Sequence, residues 1–217
     1  MPKVGVVLAG CGVYDGSEIH EAVCTLLALG QAGAEYQCMA PNSPQMHVVD
    51  HVTGKPVAGQ TRNVLHESAR IARGEIIALG DVNVADYDAF IFPGGFGAAK
   101  NLCTFAFEGE SCNVQRDVER IIKEAHSAKK PLAFVCIAPV IAAKVLGGNT
   151  KLTIGDDADT AAAINTMGAA HVECPVKEAV IDDANKIVST PAYMKAENIA
   201  DLFTGIKATV DQVLKMI

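Results

Sequence analysis

A cysteine ends the continuous apolar run Pro131–Val135, and a proline follows three residues later, in Phe134-Val135-Cys136-Ile137-Ala138-Pro139. The run has strand length, and Ile137–Leu146 after it reads as a helix. Cys136 is therefore expected on a sharp strand-to-helix turn. Such a turn exposes a thiol and points the helix N-terminus at it. The partial positive charge there should lower the thiol pKa, and thiolate is the nucleophile. The hydrolase elbow has glycines two residues to either side of its nucleophile. Phe134 and Ala138 stand there instead, so the generic motif is absent. A buried strand-end cysteine is the ordinary alternative.

Three further segments carry possible chemistry. Pro93-Gly94-Gly95-Phe96-Gly97 follows the apolar run Ala89–Phe92. Its glycines allow backbone to approach a ligand closely, Gly94 included. The N–H groups of Gly95 and Ile137 are candidates to hold a developing oxyanion. A plain glycine turn is the alternative. Glu18, His20 and Glu21 fall in the first turns of the first helix. A carboxyl there can act as general acid/base, particularly if burial raises its pKa. Glu18 has a competing role as a helix cap, and Glu21 as part of a solvated face. The glycines of Gly10–Gly16 miss the G-x-G-x-x-G spacing by one residue, which disfavours a dinucleotide. His171-Val172-Glu173 has the His-x-Glu form used by glutamine amidotransferases, but it follows Cys136 closely and reads better as a strand edge.

The elements that must position these groups alternate. Strands are expected at Lys3–Leu8, Glu35–Met39, Ala89–Phe92, Pro131–Val135, Leu152–Ile154, Val180–Ile181 and Lys186–Ser189, with an edge excursion at Met46–Val52. A first helix, started by Asp15 and Glu18 in a capping-box-like pattern, runs to Gly33. Further helices are expected at Arg62–Ala72, Val114–Ala128, Ile137–Leu146, Thr160–Met167 and Lys195–Met216. Asp182–Asn185 reads as a hairpin turn. This pattern predicts an α/β fold with a mostly parallel sheet covered on both faces. Ligands of such sheets bind beyond the carboxyl ends of the strands, where the first loop, the Pro-Gly-Gly loop and the Cys136 turn converge. No linker, repeat or low-complexity stretch divides residues 1–217, so one domain is expected.

The chain has 217 residues, 50% hydrophobic and 20% charged, with net charge -7. No Lys/Arg-rich run appears, which argues against a nucleic-acid or anionic-membrane surface. No apolar run is long enough to span a membrane. The seven cysteines show no C-x-x-C spacing, so neither zinc nor a redox dithiol is signalled. They fit a reducing compartment, the cytosol, or the mitochondrion if a presequence has been removed.

Gly10–Glu21 (GCGVYDGSEIHE), Pro93–Leu102 (PGGFGAAKNL), Cys136–Pro139 (CIAP), Thr190–Met194 (TPAYM) and Arg62–Gly74 (RNVLHESARIARG) together closely resemble the ElbB-type glyoxalases. These are isoprenoid biosynthesis proteins with an amidotransferase-like domain, in the PfpI/DJ-one superfamily. The resemblance runs essentially end to end. It implies a flavodoxin-like three-layer sandwich, class I glutamine amidotransferase-like, and a homodimer. It implies that Cys136 is the nucleophile, that Glu21 is its acidic partner, and that Gly95 and Ile137 supply oxyanion-hole amides. Many members place a His on the strand after the elbow helix. Here Leu152–Asp157 holds none, which leaves a Cys–Glu pair, with Asp156, Asp157 or a water as further contributors. The implied activity is conversion of a small reactive aldehyde, glyoxal or methylglyoxal, to the 2-hydroxy acid, with neither cofactor nor metal. The alternatives are an accessory or redox-sensing protein with a reactive cysteine, linked to isoprenoid metabolism, and then a protein deglycase or glutaminase-like hydrolase.

Overall fold

The computed structural model describes residues 1–217. Eleven strands and seven α-helices follow in chain order. They are β1 (Lys3–Val7), α1 (Ile19–Gln31), β2 (Glu35–Ala40), β3 (Val49–Asp50), β4 (Lys55–Pro56), α2 (Val64–Ile71), β5 (Ile76–Ala78), β6 (Ala89–Phe92) and α3 (Phe105–Glu108). Then come α4 (Arg116–Ser127), β7 (Leu132–Val135), α5 (Pro139–Leu146), β8 (Lys151–Leu152), α6 (Ala158–Thr166), β9 (Ala170–His171), β10 (Val180–Asp182), β11 (Ile187–Thr190) and α7 (Ile199–Met216).

The main sheet has seven strands in the order β10-β11-β7-β6-β1-β2-β5. All its neighbours pair in parallel except β10, which returns antiparallel on β11 through the expected hairpin. Side chains alternate across a strand, so each strand feeds two cores. Val7, Phe90, Phe92, Leu132 and Phe134 point to one face and meet α4, α5 and Ile164 of α6. Val4, Val6, Ile91, Ala133 and Val135 point to the other and meet α1, α2 and α7. The rings of Phe92 and Phe134 stack with centroids 4.8 Å apart, locking β6 beside β7 just below the loops that leave both strands. This is the three-layer, mostly parallel α/β architecture expected from the sequence.

Several local expectations change. Leu152–Ile154 does not join the main sheet. Lys151 and Leu152 pair instead with Ala170 and His171 in a separate two-stranded ribbon. Ile76–Ala78, read as no element, forms the outer edge beside β2. Asp15 does not cap α1. Its carboxylate accepts from Val49 N–H (2.6 Å), and Glu18 is the cap, accepting from Glu21 N–H (2.8 Å). Helix α5 starts at Pro139 rather than Ile137, so Cys136–Ala138 forms a full turn between strand and helix. No helix is long and apolar enough to cross a membrane.

Candidate active site

Cys136 leaves β7 with φ +61°, a left-handed conformation that costs a non-glycine residue on the order of 1–3 kcal/mol. Neighbours hold it there. Its N–H donates to Thr190 O of β11 (3.0 Å), and the N–H of Ala138 closes the turn on Val135 O (3.0 Å). The result is the sharp elbow expected from sequence, built without the usual glycines. The thiol is only 7% exposed. The backbone N–H groups of Gly95 and Ile137 lie near enough to favour its thiolate form.

Glu21 is fully buried, the opposite of a solvated helix face. Its Oε2 accepts from Gly94 N–H (2.9 Å) and its Oε1 from Tyr193 N–H (3.2 Å). Gly94 follows β6 and Tyr193 follows β11, the two strands that flank β7. The carboxyl therefore spans the end of β7, beside the Cys136 side chain. The turn that presents Tyr193 contains Ala192 at φ +46°, a second strained non-glycine residue.

Gly94 is the spacer that lets these groups meet. A Cβ on it would lie 2.5 Å from Cys136 Cβ and 2.8 Å from Glu21 Oε2. Gly95, at φ +95°, is pressed against the backbone of Glu18 and Gly16, which brings its N–H near Cys136.

The electrostatics overturn one expectation. The helix N-terminus and the two N–H groups do favour thiolate, but removal from water and the adjacent Glu21 carboxylate outweigh them. The Cys136 thiol is pushed well above its ordinary value of 9.0. Burial, then the Glu18 charge, raise Glu21 to about 8 against the lowering effect of its hydrogen bonds. Two adjacent desolvated acids titrate as a pair, and the first proton to leave is that of Glu21, at about 8.

Cys136 opens onto a cavity of about 500 Å³, and Glu21 stands behind it, out of the cavity wall. Its apolar wall includes Val13, Phe96, Phe105, Ile137 and Met194, and its polar groups are Glu18, Asp157, Thr160 and Tyr193. Tyr193 Oη is hydrogen-bonded to His20 Nδ1 (2.8 Å), so His20 reaches the site only through that phenol. Asp157 also caps α6, accepting from Thr160 N–H (2.9 Å), whereas Asp156 is tied to Lys195. His171 does not line the cavity, and its Nε2 accepts from Ile154 N–H (3.3 Å). Cys136, Glu21, Gly94, Gly95 and Ile137 are thus brought together at one end of β7. Sequence reasoning assigned no role to Tyr193 and weighed Glu18 as an acid/base carboxyl against a helix cap. The signal for Tyr193 was its place just past a strand that ends at the same sheet edge as the elbow.

No protein-family model matches the chain. A human protein named glutamine amidotransferase-like class 1 domain-containing protein 3, mitochondrial, is 52% identical over 99% of this chain and 83% of its own length. A crystal structure of an isoprenoid biosynthesis protein with amidotransferase-like domain from Ehrlichia chaffeensis is 37% identical. It covers 100% of this chain and 99% of its own, with a TM-score of 0.93. A DJ-1 superfamily protein of Salmonella typhimurium, 20% identical, covers 99% of this chain and 88% of its own with a TM-score of 0.58, which shows a shared fold. With an elbow cysteine on a DJ-1-like sheet and half its residues in common with the human protein, this chain belongs to the glutamine amidotransferase-like class 1 domain-containing proteins.

Proposed function

We propose that this protein is a cofactor-independent glyoxalase that converts glyoxal, and by the same route methylglyoxal, to the 2-hydroxy acid. The carrying observation is a buried thiol beside a buried carboxyl raised to about 8, on a turn whose N–H groups and those of the adjoining glycine loop favour the thiolate. Aldehyde isomerisation requires a soft nucleophile, one proton carrier and an oxyanion site.

The active form is the pair holding one proton. The Cys136 sulfur bonds to one aldehyde carbon and gives up its proton, which Glu21 relays to that carbonyl oxygen, giving a hemithioacetal. Glu21, now a carboxylate, removes the hydrogen from the same carbon to form an enediol. It returns that proton to the second carbon as the hydroxyl proton on the first carbon passes to the second oxygen, which leaves a hydroxyacyl thioester. Glu21 then takes a proton from water as the hydroxyl attacks the thioester, and the departing sulfur restores the one-proton pair. The sum is one dialdehyde plus one water giving one glycolate and a proton. Gly95 and Ile137 N–H groups lie near Cys136, where the oxyanion of the thioester hydrolysis forms. Tyr193 and Glu18 line the side of the cavity from which the second carbonyl would be held.

Wild-type protein, Cys136→Ala and Glu21→Gln incubated with glyoxal in the absence of glutathione test the reading. Glycolate from wild type and from neither variant supports it, and no glycolate from wild type overturns it. A sensing role for Cys136 draws less support, because the thiol is nearly buried and its pKa is raised, which slows oxidation. A glutaminase role would need a histidine at the thiol, and His171 is engaged elsewhere. The human relative is named as mitochondrial, and we place the activity of this chain in the same setting.

A further inference from the structure

The Cys136 cavity is larger than a two-carbon substrate needs. It measures about 500 Å³. At roughly 30 Å³ per heavy atom, the share one water takes in the liquid, the four heavy atoms of glyoxal fill about a quarter of it. Cavities of about 300–1,000 Å³ ordinarily take molecules of drug size.

The remaining space has a definite chemistry. Nine of the thirteen residues lining the cavity are hydrophobic. Depth sorts the lining. Cys136 and Glu18 are 7% and 9% exposed and lie at the floor, whereas Phe96 is 51% exposed and stands at the rim. Phe105 and Met194 are half-buried wall residues. Backbone bonds fix this wall. Phe96 N–H donates to Val13 O (2.8 Å), which ties the loop after β6 to the loop after β1, and Met194 N–H donates to Pro191 O (3.0 Å) in the turn after β11.

Charge narrows the choice of occupant. The charged side chains lining the cavity are the carboxyl groups of Glu18 and Asp157, and Asp157 is engaged in capping α6. The Lys100 ammonium lies over the Phe96 ring and donates to Tyr14 O, outside the lining. An anionic substrate would meet repulsion with no cation to offset it. An uncharged apolar group would leave water for a hydrocarbon wall.

Resting on the glyoxalase reading of the same site, we propose that its substrate class is an uncharged 2-oxoaldehyde carrying an alkyl arm of several carbons. The aldehyde carbon meets the Cys136 sulfur at the floor, the keto oxygen faces Tyr193 and Glu18, and the arm lies along Phe105 and Met194 toward Phe96. The product is the 2-hydroxy acid with the same arm. Glyoxal and methylglyoxal are the short end of this series.

Methyl ketones, which cannot isomerise to a hydroxy acid, separate occupancy from catalysis. 2-Butanone, 2-pentanone and 2-heptanone are titrated against the wild-type protein, and their dissociation constants are read by saturation-transfer NMR. Each added methylene should tighten binding about fourfold. 6-Oxoheptanoate, which ends the seven-carbon chain in a carboxylate, should bind about tenfold more weakly than 2-heptanone. A constant that changes less than about twofold from 2-butanone to 2-heptanone overturns the proposal. So does 6-oxoheptanoate binding as tightly as 2-heptanone. Ala106 is an exposed residue of the cavity wall, so Ala106→Trp should fill the cavity without entering the core. It should weaken 2-heptanone about tenfold, and unchanged binding overturns the proposal by placing the ketone elsewhere. Turnover is read separately. In wild type, kcat/KM should rise from methylglyoxal through propylglyoxal to pentylglyoxal, and a fall along that series also overturns the proposal. If the ketones bind as expected and no 2-oxoaldehyde is consumed, the glyoxalase reading fails and the occupant of the cavity stands. If glyoxal is consumed and the ketone series is flat, the reading stands and this proposal fails.

Discussion

Glu21 determines how the pair responds to pH. An acid whose folded pKa lies above its unfolded value binds more protons in the folded state, so its burial destabilises the protein as pH rises between the two values. For Glu21 that window runs from 4.5 to about 8. Stability measured by urea should therefore fall across the window, and Glu21→Gln should flatten that slope. Activity should move the other way. The one-proton pair accumulates as pH rises through about 8, so kcat/KM for glyoxal should climb through that value in wild type. A flat profile would show that some other group carries the proton. Glu21→Gln should reduce turnover by about 10²–10⁴-fold, the range for a lost general acid/base. It should also cost about 1–3 kcal/mol of stability at low pH, because an amide has one acceptor oxygen for two buried N–H donors.

At the scale of elements, helix ends and strand-end loops carry the clearest consequences. Helices α1 and α4 end with the same pair of backbone bonds, Gly33 to Gly30 and Ala34 to Leu29 in one, Lys129 to His126 and Lys130 to Ala125 in the other. The left-handed residue is Gly33 at φ +70° in the first and exposed Lys129 at φ +56° in the second. Lys129→Gly should therefore stabilise the protein by about 1 kcal/mol, read as a higher urea midpoint at unchanged slope. Gly94→Ala should do the reverse. Its methyl would meet Cys136 and Glu21, so turnover should vanish together with the Glu21-dependent pH slope of stability.

The elements that could be read from sequence are those with enough residues to show a period. The runs at β1, β6 and β7 and the amphipathic α4 were of this kind, and with β6 and β7 came the two loops that frame the site. Ile76–Ala78 was not legible, because three half-buried residues between Gly74 and Leu79 show no alternation. Thiol acidity was misjudged because a helix end is local in sequence, whereas the burial of Cys136 and the Glu21 carboxyl beside it come from other elements. Tyr193 was hidden for the same reason, since spacing along the chain says nothing of which loops a sheet edge brings together.

Across the whole molecule, a single seven-stranded sheet supports both cores, and every main strand contributes side chains to one or both of them. The two cores cannot separate without breaking the strands they share. Far-ultraviolet and near-ultraviolet circular dichroism should therefore give coincident urea transitions. Two distinct midpoints would mean that one face melts alone. Glu21 belongs to this scale as well, since its carboxyl fastens α1 to the segments that follow β6 and β11. A descendant of this chain that abandoned the chemistry and lost its cysteine would still be held to Glu21, because the acid is a rivet as well as a proton carrier. Among such relatives, retention of the glutamate would be a mark of shared ancestry and of nothing they still do.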